Sequence, residues 1–248
     1  MFEPCVPIAI PTDVRLVVAD DALVLDDALE RVLDDEWARE QDERGVRLVN
    51  NPILSYLGFD GHAIHGRFVL YRHYIASRRR PDLFPPRLVC AMGISGLTLV
   101  EGGLVFARRS ARVTCYPNLW ELVPSGSIDR DGLSDDGTVD FRAALAAELA
   151  QEVNVEVADL SALKPYALIY DPNIRTCDIA LALDTGLTPE AFLARARERR
   201  EDEYQAVECV PFEALDDFVR RVGDAIIPVT HAMLEPAWLG RALDALDV

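Results

Sequence analysis

The sequence predicts an α/β fold in which helices cover a mixed β-sheet. Short apolar runs bounded by Gly, Pro or Asn alternate along the chain with segments whose apolar residues recur at the helical period. Half of the residues are hydrophobic, which is enough for a substantial core. These observations favour a folded α/β protein over a disordered chain.

The individual elements follow from local pattern. The predicted strands lie near residues 13–19, 88–100, 104–108, 119–123, 164–170, 178–183 and 206–210. Helices are predicted from Asp20 or Asp21 through Trp37, over 139–153 and 189–199, and onwards from Glu213 and about Val229. Residues 67–79 suit either a helix or a strand, and Asn50-Asn51-Pro52 predicts a turn.

A proline-rich break divides the chain. Pro81, Pro85 and Pro86 interrupt the periodic pattern and predict a boundary near residue 85. Residues 1–85 would form an N-terminal α/β extension, and residues 86–248 would form the main domain with its C-terminal helices.

Composition limits the choice of partner and compartment. The formal net charge at pH 7 is −17, so nucleic acid and anionic membranes are poor partners and a small molecule is expected. The five cysteines are dispersed without a C-x-x-C pair, which favours reduced thiols over a disulfide framework or a zinc site. No apolar run approaches the roughly 18 residues of a membrane span, and the cytoplasm is the expected compartment.

Three oxygen-bearing side chains share one face of the predicted helix 139–153. Glu148, Gln151 and Glu152 are spaced at i, i+3 and i+4. Two carboxylates and an amide oxygen suit Mg²⁺ or Mn²⁺. The alternative is a solvated acidic pair, which is ordinary on helices. Residues 116–126 favour the metal site, because they read as a strand that enters a Pro/Gly turn just before the helix.

This segment resembles the Nudix box of the Nudix hydrolases, which reads G-x5-E-x7-R-E-U-x-E-E-x-G-U with U a bulky aliphatic residue. Gly126 matches the opening glycine, while Glu148 and Glu152 match two of the glutamates. The loop is longer than the family's spacing, and four positions depart from it: Val139 for Glu, Ala147 for Arg, Gln151 for Glu and Asn154 for Gly. Asn tolerates the left-handed conformation of a helix end. Asp135, Asp136 and Asp140 could supply a substitute carboxylate.

The resemblance extends beyond the box and implies a fold. Residues 87–100 and 103–110 look like the family's opening hairpin, so the likeness covers roughly residues 88–215. It implies a Nudix α/β/α sandwich with a mixed sheet. The long insertion and the Gln-Glu-Val-Asn ending are most similar to the UDP-glucose diphosphatase branch.

The resemblance also implies site residues. Glu148, Gln151 and Glu152 would bind Mg²⁺ or Mn²⁺, and Glu148 and Glu152 would also be catalytic. A base could come from Glu203 in the acidic loop that also contains Glu201 and Asp202, although a solvated loop explains these charges as well.

Further residues suit phosphate binding. Gly126 lets the backbone approach a phosphate, or is a plain turn glycine. Arg108 and Arg109 could bind phosphate through bidentate hydrogen bonds, or face solvent.

Together these features predict Mg²⁺-dependent hydrolysis of a nucleoside diphosphate linked to another moiety, with a nucleotide sugar as the first guess. The alternative is a Nudix-fold protein that binds a nucleotide with weak or no hydrolysis, and a weaker one is a structural interaction module. The N-terminal extension would form part of the substrate pocket or a homodimer surface.

Overall fold

The computed structural model describes residues 2–45, 47–85, 88–130, 132–198 and 203–247. Within these residues the protein has an α/β fold built on one mixed sheet, which confirms the predicted fold class. The predicted boundary residue Pro86, the predicted helix end at Arg199, and Glu201 and Asp202 lie outside the described residues.

The strands of the sheet are numbered in chain order. They are β1 (Val6–Ala9), β2 (Arg15–Val18), β3 (Pro52–Phe59), β4 (Ala63–Leu70), β5 (Ala91–Val100), β6 (Gly103–Arg109), β7 (Trp120–Leu122), β8 (Ser125–Ser127), β9 (Thr138–Val139), β10 (Ala162–Asp171), β11 (Thr176–Asp184) and β12 (Tyr204–Pro211). The pairs β5–β11 and β2–β4 are parallel, and the others are antiparallel.

Strands from both parts of the chain join this sheet. The main path runs β1-β10-β11-β5-β3-β4-β2-β9, while β6 connects β5 to β7 and β12, and β8 pairs with β5. The residues before the predicted boundary therefore contribute β1 to β4 to the same sheet. Whether they form a separate domain stays a prediction.

The helices cover the sheet. They are α1 (Asp27–Arg44), α2 (Tyr71–Arg79), α3 (Phe141–Val153), α4 (Pro189–Arg197), α5 (Leu215–Val222), α6 (Pro228–Leu234) and α7 (Pro236–Ala245). The segment that suited a helix or a strand contains both, because β4 runs directly into α2. None of the described helices is long and apolar enough to cross a membrane.

The start of α1 corrects one prediction. Asp26, rather than Asp20 or Asp21, caps the helix, since its carboxylate accepts hydrogen bonds from the amides of Ala28 and Leu29 at 3.0 and 2.9 Å. Pro52 likewise begins strand β3, directly after the Asn-Asn pair of the predicted turn.

Alternation along β11 divides the core into two layers. Ile179, Leu181 and Leu183 pack in one cluster with residues of α3 and α4, whereas Ala180 and Ala182 pack in a second cluster with residues of α6 and α7. Because side chains alternate between the faces of a strand, the helices lie on both faces of the sheet. The result is the three-layered α/β/α arrangement that the sequence predicts.

Helix α3 is fixed at both ends. Asp140 accepts hydrogen bonds from the amides of Arg142 and Ala143, and Asn154 ends the helix in the left-handed conformation at φ 56°. The predicted core positions Leu145, Leu149 and Val153 are all fully buried. This packing holds the last two turns of α3, which carry Glu148 and Glu152, against the sheet.

Candidate active site

A cleft opens where β5 changes partners. On one edge β5 pairs with β11 continuously from Ala91 to Leu99. On its other edge it pairs in succession with β3, β8 and β6. The cleft has a volume of about 780 Å³ and is lined by residues of β3, β5, β8 and β11, of α2, and of the loop that follows β6. The break in the sheet thus creates a pocket lined by Ser125 and Gly126 of β8. Glu152 and Glu148 of α3 lie against these two residues but do not themselves line the pocket.

Glu152 is a buried carboxylate with one unused oxygen. Its side chain is 1% exposed, and its Oε2 accepts hydrogen bonds from the Tyr204 hydroxyl at 2.8 Å and from the Ser125 amide at 3.2 Å. Its Oε1 is buried without a hydrogen-bond partner among the described residues. Burial raises the pKa of Glu152 well above its usual value, and the charges of Glu121 and Glu203 raise it further.

Arg109 lies between the carboxylates of Glu121 and Glu203. Its guanidinium donates to Glu121 Oε1 at 2.5 Å and lies 3.6 Å from Glu203 Oε1. It also donates to Ser125 Oγ at 3.2 Å. Burial lowers the pKa of Arg109, but the charges of Glu121, Tyr204 and Glu203 and the hydrogen bond to Glu121 together outweigh it, so the net shift is upward. Arg109 therefore stays charged and compensates part of the acidic cluster.

Glu148 lies against the glycine of strand β8. A Cβ atom built on Gly126 would overlap the Glu148 carboxylate. Gly126 pairs with Ile94 of β5, and its φ is not in the left-handed region. The glycine is therefore needed for the close approach of a carboxylate rather than for an unusual turn.

The remaining predicted residues are placed less centrally. Gln151 is exposed, whereas Glu148 is half-buried and Glu152 is buried. Arg108 is exposed, donates to the Asn118 carbonyl at 3.1 Å and is not among the residues that line the cleft. Because neighbouring strand residues face opposite sides of a sheet, the cleft receives Arg109 and not Arg108. Metal binding by Gln151 and phosphate binding by Arg108 and Arg109 stay predictions.

Glu203, the predicted base, lies at the cleft, and its role as a base stays a prediction. Its side chain is 30% exposed, and its backbone carbonyl accepts a hydrogen bond from the Ser110 amide at 2.7 Å. This bond ties the start of β12 to the end of β6. Glu203 thus combines solvent access with a fixed backbone.

The donor chemistry fits a hard divalent cation. Glu121, Glu148, Glu152 and Glu203 supply only oxygen ligands, and one oxygen of Glu152 is buried without a hydrogen-bond partner in the described part of the chain. Among the described residues, no group of three His, Cys, Asp or Glu side chains is arranged so that it could already hold a metal ion. Arg109 and Tyr204 instead hold carboxylates of the cluster. A cation would be held by Glu148 and Glu152, with Glu121 beside them.

Sequence reasoning missed Glu121, Tyr204 and Ser125. Glu121 is 1% exposed and is the additional carboxylate beside Glu152. The predicted substitutes are engaged elsewhere, since Asp136 accepts a hydrogen bond from Thr138 and Asp140 caps α3. One signal was present, since a glutamate between Trp and Leu in a short apolar strand is unusual. Tyr204 and Ser125 carried no comparable signal.

The chain is similar to several solved structures. A bifunctional NMN adenylyltransferase/ADP-ribose pyrophosphatase from Francisella tularensis, complexed with AMP and a manganese ion, aligns at a TM-score of 0.43 and 15% identity. The alignment covers 65% of this chain and 45% of that chain, so this chain spans less than half of that protein's length.

Two further structures align over most of their own length. A Nudix hydrolase from Nitrosomonas europaea has a TM-score of 0.40 and 10% identity, over 60% of this chain and 89% of that one. A MutT protein from Methanosarcina mazei has a TM-score of 0.36 and 15% identity, over 63% and 91%. No protein-family profile and no curated protein sequence matches the chain. Nudix hydrolases are thus found among the similar structures, and they are also the family that the sequence motif resembles.

Proposed function

We propose that this protein is a Nudix-type hydrolase that uses Mg²⁺ or Mn²⁺ to cleave a diphosphate joining a nucleoside to another moiety. The observation that carries the proposal is Glu152, a fully buried carboxylate whose Oε1 has no hydrogen-bond partner among the described residues. Neighbouring carboxylates raise its pKa further, so an ionised Glu152 needs a positive charge beside it.

The charge of the cleft favours a metal-assisted reaction over simple anion binding. Glu121, Asp129, Asp178 and Glu203 line the cleft, against two arginines, Arg109 and Arg112. Arg109 already binds Glu121 and lies beside Glu203. A diphosphate entering this cleft would be repelled unless a cation accompanied it. When bound, a divalent cation neutralises phosphate charge and lowers the pKa of a coordinated water.

The protein's own groups divide the remaining work. Tyr204 and the Ser125 amide fix Glu152 through Oε2, which leaves Oε1 as the oxygen available to a ligand. Glu203 is partly exposed at the cleft and can accept a proton from an attacking water. Arg109 orients Glu203 and Glu121 by its position between them.

A nucleotide sugar is the first substrate class to test. The support is the similarity of the box insertion and the Gln-Glu-Val-Asn ending to the UDP-glucose diphosphatase branch, together with a cleft of about 780 Å³ that can hold more than a diphosphate.

The experiment is a nucleotide- and phosphate-release screen with Mg²⁺ and Mn²⁺ over nucleotide sugars, dinucleotides and nucleoside triphosphates. We expect turnover by the wild type that EDTA abolishes, and a loss of about 100-fold or more in Glu148→Gln and Glu152→Gln. The matched control is Glu190→Gln, the same substitution at an exposed glutamate of α4, which should keep full activity.

The screen also decides between hydrolysis and binding. Turnover that survives in both Glu148→Gln and Glu152→Gln would contradict the proposed site. Absence of turnover on every compound, with correct folding, would favour the alternative of a nucleotide-binding protein without hydrolysis.

Gly126→Ala separates the function of the site from its stability. The added Cβ overlaps the Glu148 carboxylate, and because that group ends a flexible side chain it can swing away without unfolding the protein. We expect kcat to fall by about 100-fold and the free energy of unfolding to change by less than about 1 kcal/mol. Steady-state kinetics and urea unfolding measure the two effects.

Gly240→Ala is the control for this substitution. A Cβ at Gly240 of α7 would meet nothing within 4 Å, so activity should not change and stability should rise by about 0.4–1 kcal/mol. Full activity in Gly126→Ala would show that the close approach of Glu148 to β8 is not required.

A further inference from the structure

The cleft contains a second carboxylate that the proposed chemistry does not use. Asp178 of β11 lines the cleft, and the Ser95 hydroxyl donates to its Oδ2 at 2.7 Å. Thr176, two residues earlier on the same strand, also lines the cleft, and its hydroxyl lies close enough to the Asp178 carboxylate to lower the pKa of Asp178 by hydrogen bonding. Asp178 and Thr176 therefore place a carboxylate and a hydroxyl together in the cleft.

A glycine on the neighbouring strand accommodates the Asp178 carboxylate. Asp178 is in register with Gly93 of β5, and a Cβ at Gly93 would come within 2.7 Å of Asp178 Oδ1. Any other residue at position 93 would crowd this oxygen. The glycine therefore leaves room for the Asp178 carboxylate itself.

The spacing of the strands connects this place to the carboxylates of α3. β11 and β8 flank β5 on opposite edges, since Gly93 pairs with Asp178 on one side and with Ser127 on the other. Two strand spacings separate β11 from β8 by about 10 Å. A diphosphate held near Ser125 and Glu152 would thus bring its attached group to Asp178.

The surrounding side chains indicate the chemistry of that group. Burial raises the pKa of Asp178 to about 6, so its carboxyl group is still ionised at neutral pH. An ionised carboxylate accepts hydrogen bonds and repels phosphate. Tyr71 and Tyr74 also line the cleft, and the Tyr74 hydroxyl is occupied by the Ile174 carbonyl at 2.8 Å. Aromatic side chains beside a carboxylate and hydroxyl groups suit a ring that carries hydroxyl groups.

We propose that Asp178, Ser95 and Thr176 form a recognition site for a neutral, hydroxyl-bearing group such as a sugar ring attached to the diphosphate. Asp178 Oδ1 accepts a hydrogen bond from a ligand hydroxyl, Thr176 supplies a second polar contact, and Ser95 positions the carboxylate. The inference rests on the proposed function, because it places the diphosphate at Glu152.

Binding of matched probes tests this site. The dissociation constants of UDP-glucose, ADP-ribose and GDP-mannose are compared with those of UDP, ADP and GDP, respectively, by isothermal titration calorimetry with Mg²⁺. Product release is measured on the same samples. We expect the wild type to bind at least one sugar-bearing probe about 10-fold or more tightly than its nucleoside diphosphate. Asp178→Asn should remove that preference by weakening the sugar-bearing probe about 10- to 100-fold, and Thr176→Val should weaken it less.

A second Ser–Asp pair, whose aspartate also lies on β11, is the control. The Ser161 hydroxyl donates to Asp184 Oδ2 at 2.6 Å, and the Gly186 amide occupies Asp184 Oδ1 at 3.0 Å. Asp184 does not line the cleft, so Asp184→Asn should keep the preference.

The outcomes separate this inference from the proposed function. If no sugar-bearing probe binds more tightly than its nucleoside diphosphate, or if Asp178→Asn and Thr176→Val both keep the preference, the recognition site is overturned. Hydrolysis of other diphosphates that is lost in Glu152→Gln would then leave the proposed function standing. A preference that depends on Asp178, without hydrolysis of any probe, would support the recognition site and contradict the proposed function.

Discussion

Glu152→Gln is expected to stabilise the metal-free protein while it abolishes turnover. Ionised Glu152 is buried among carboxylates, and its Oε1 has no hydrogen-bond partner among the described residues. Gln keeps an acceptor for Tyr204 and Ser125, removes the charge, and brings an amide donor to a place rich in acceptors. In EDTA at pH 8 we expect the free energy of unfolding to rise by about 1–3 kcal/mol, measured by urea unfolding.

The stability that Glu152→Gln gains over the wild type should increase with pH. The pKa of Glu152 is raised in the folded protein, so the folded state holds the proton more tightly than the unfolded state does. The stability that this provides is complete below the unfolded pKa of about 4.3, and it is lost as pH rises through the folded pKa. The advantage of Glu152→Gln over the wild type should therefore grow with pH across this window. A variant less stable than the wild type at pH 8 in EDTA would contradict the description of Glu152.

Arg109→Met is expected to cause the largest loss of stability. Arg109 is the ion-pair partner of Glu121, which is 1% exposed, and removing it leaves a buried carboxylate without compensation. We expect the free energy of unfolding to fall by about 3–5 kcal/mol, measured by urea unfolding at neutral pH.

Two companion variants define the cause. Arg108→Met, the neighbouring exposed position on β6, should change stability by less than about 0.5 kcal/mol. Adding Glu121→Gln to Arg109→Met should recover much of the loss, because the unpaired charge is gone. Equal losses for Arg108→Met and Arg109→Met would show that the buried pair is not what stabilises this region.

Local features of the fold could be predicted from sequence because they depend on near neighbours. The i, i+4, i+8 pattern of Leu145, Leu149 and Val153 gave the buried face of α3, and Asn154 gave its left-handed end. Gly126 and Glu148 match the same sequence motif, and the structure places the Glu148 carboxylate against Gly126. In these cases the spacing along the chain already determines which residues are in contact.

Features that depend on distant pairing could not be predicted. Strand β1 exists because it pairs with β10, far along the chain, and no turn or periodic run marks it. Glu121 and Arg109 become partners only when β7 pairs with β6. Asp178 reads as an ordinary polar residue of a strand until β5 places Gly93 beside it. Gln151 shows the opposite case, since helical spacing grouped it with Glu148 and Glu152 but packing left it exposed.

The central claim is that the carboxylates around Glu152 bind a divalent cation, and a Mg²⁺ titration of protein stability tests it most directly. The free energy of unfolding of the wild type and of Glu152→Gln is measured from EDTA to saturating Mg²⁺, with the activity assay kept separate. We predict that Mg²⁺ at 100 times its dissociation constant stabilises the wild type by about 2.7 kcal/mol and leaves Glu152→Gln unchanged. No stabilisation of the wild type, or an equal gain in both proteins, would contradict a cation site at Glu152.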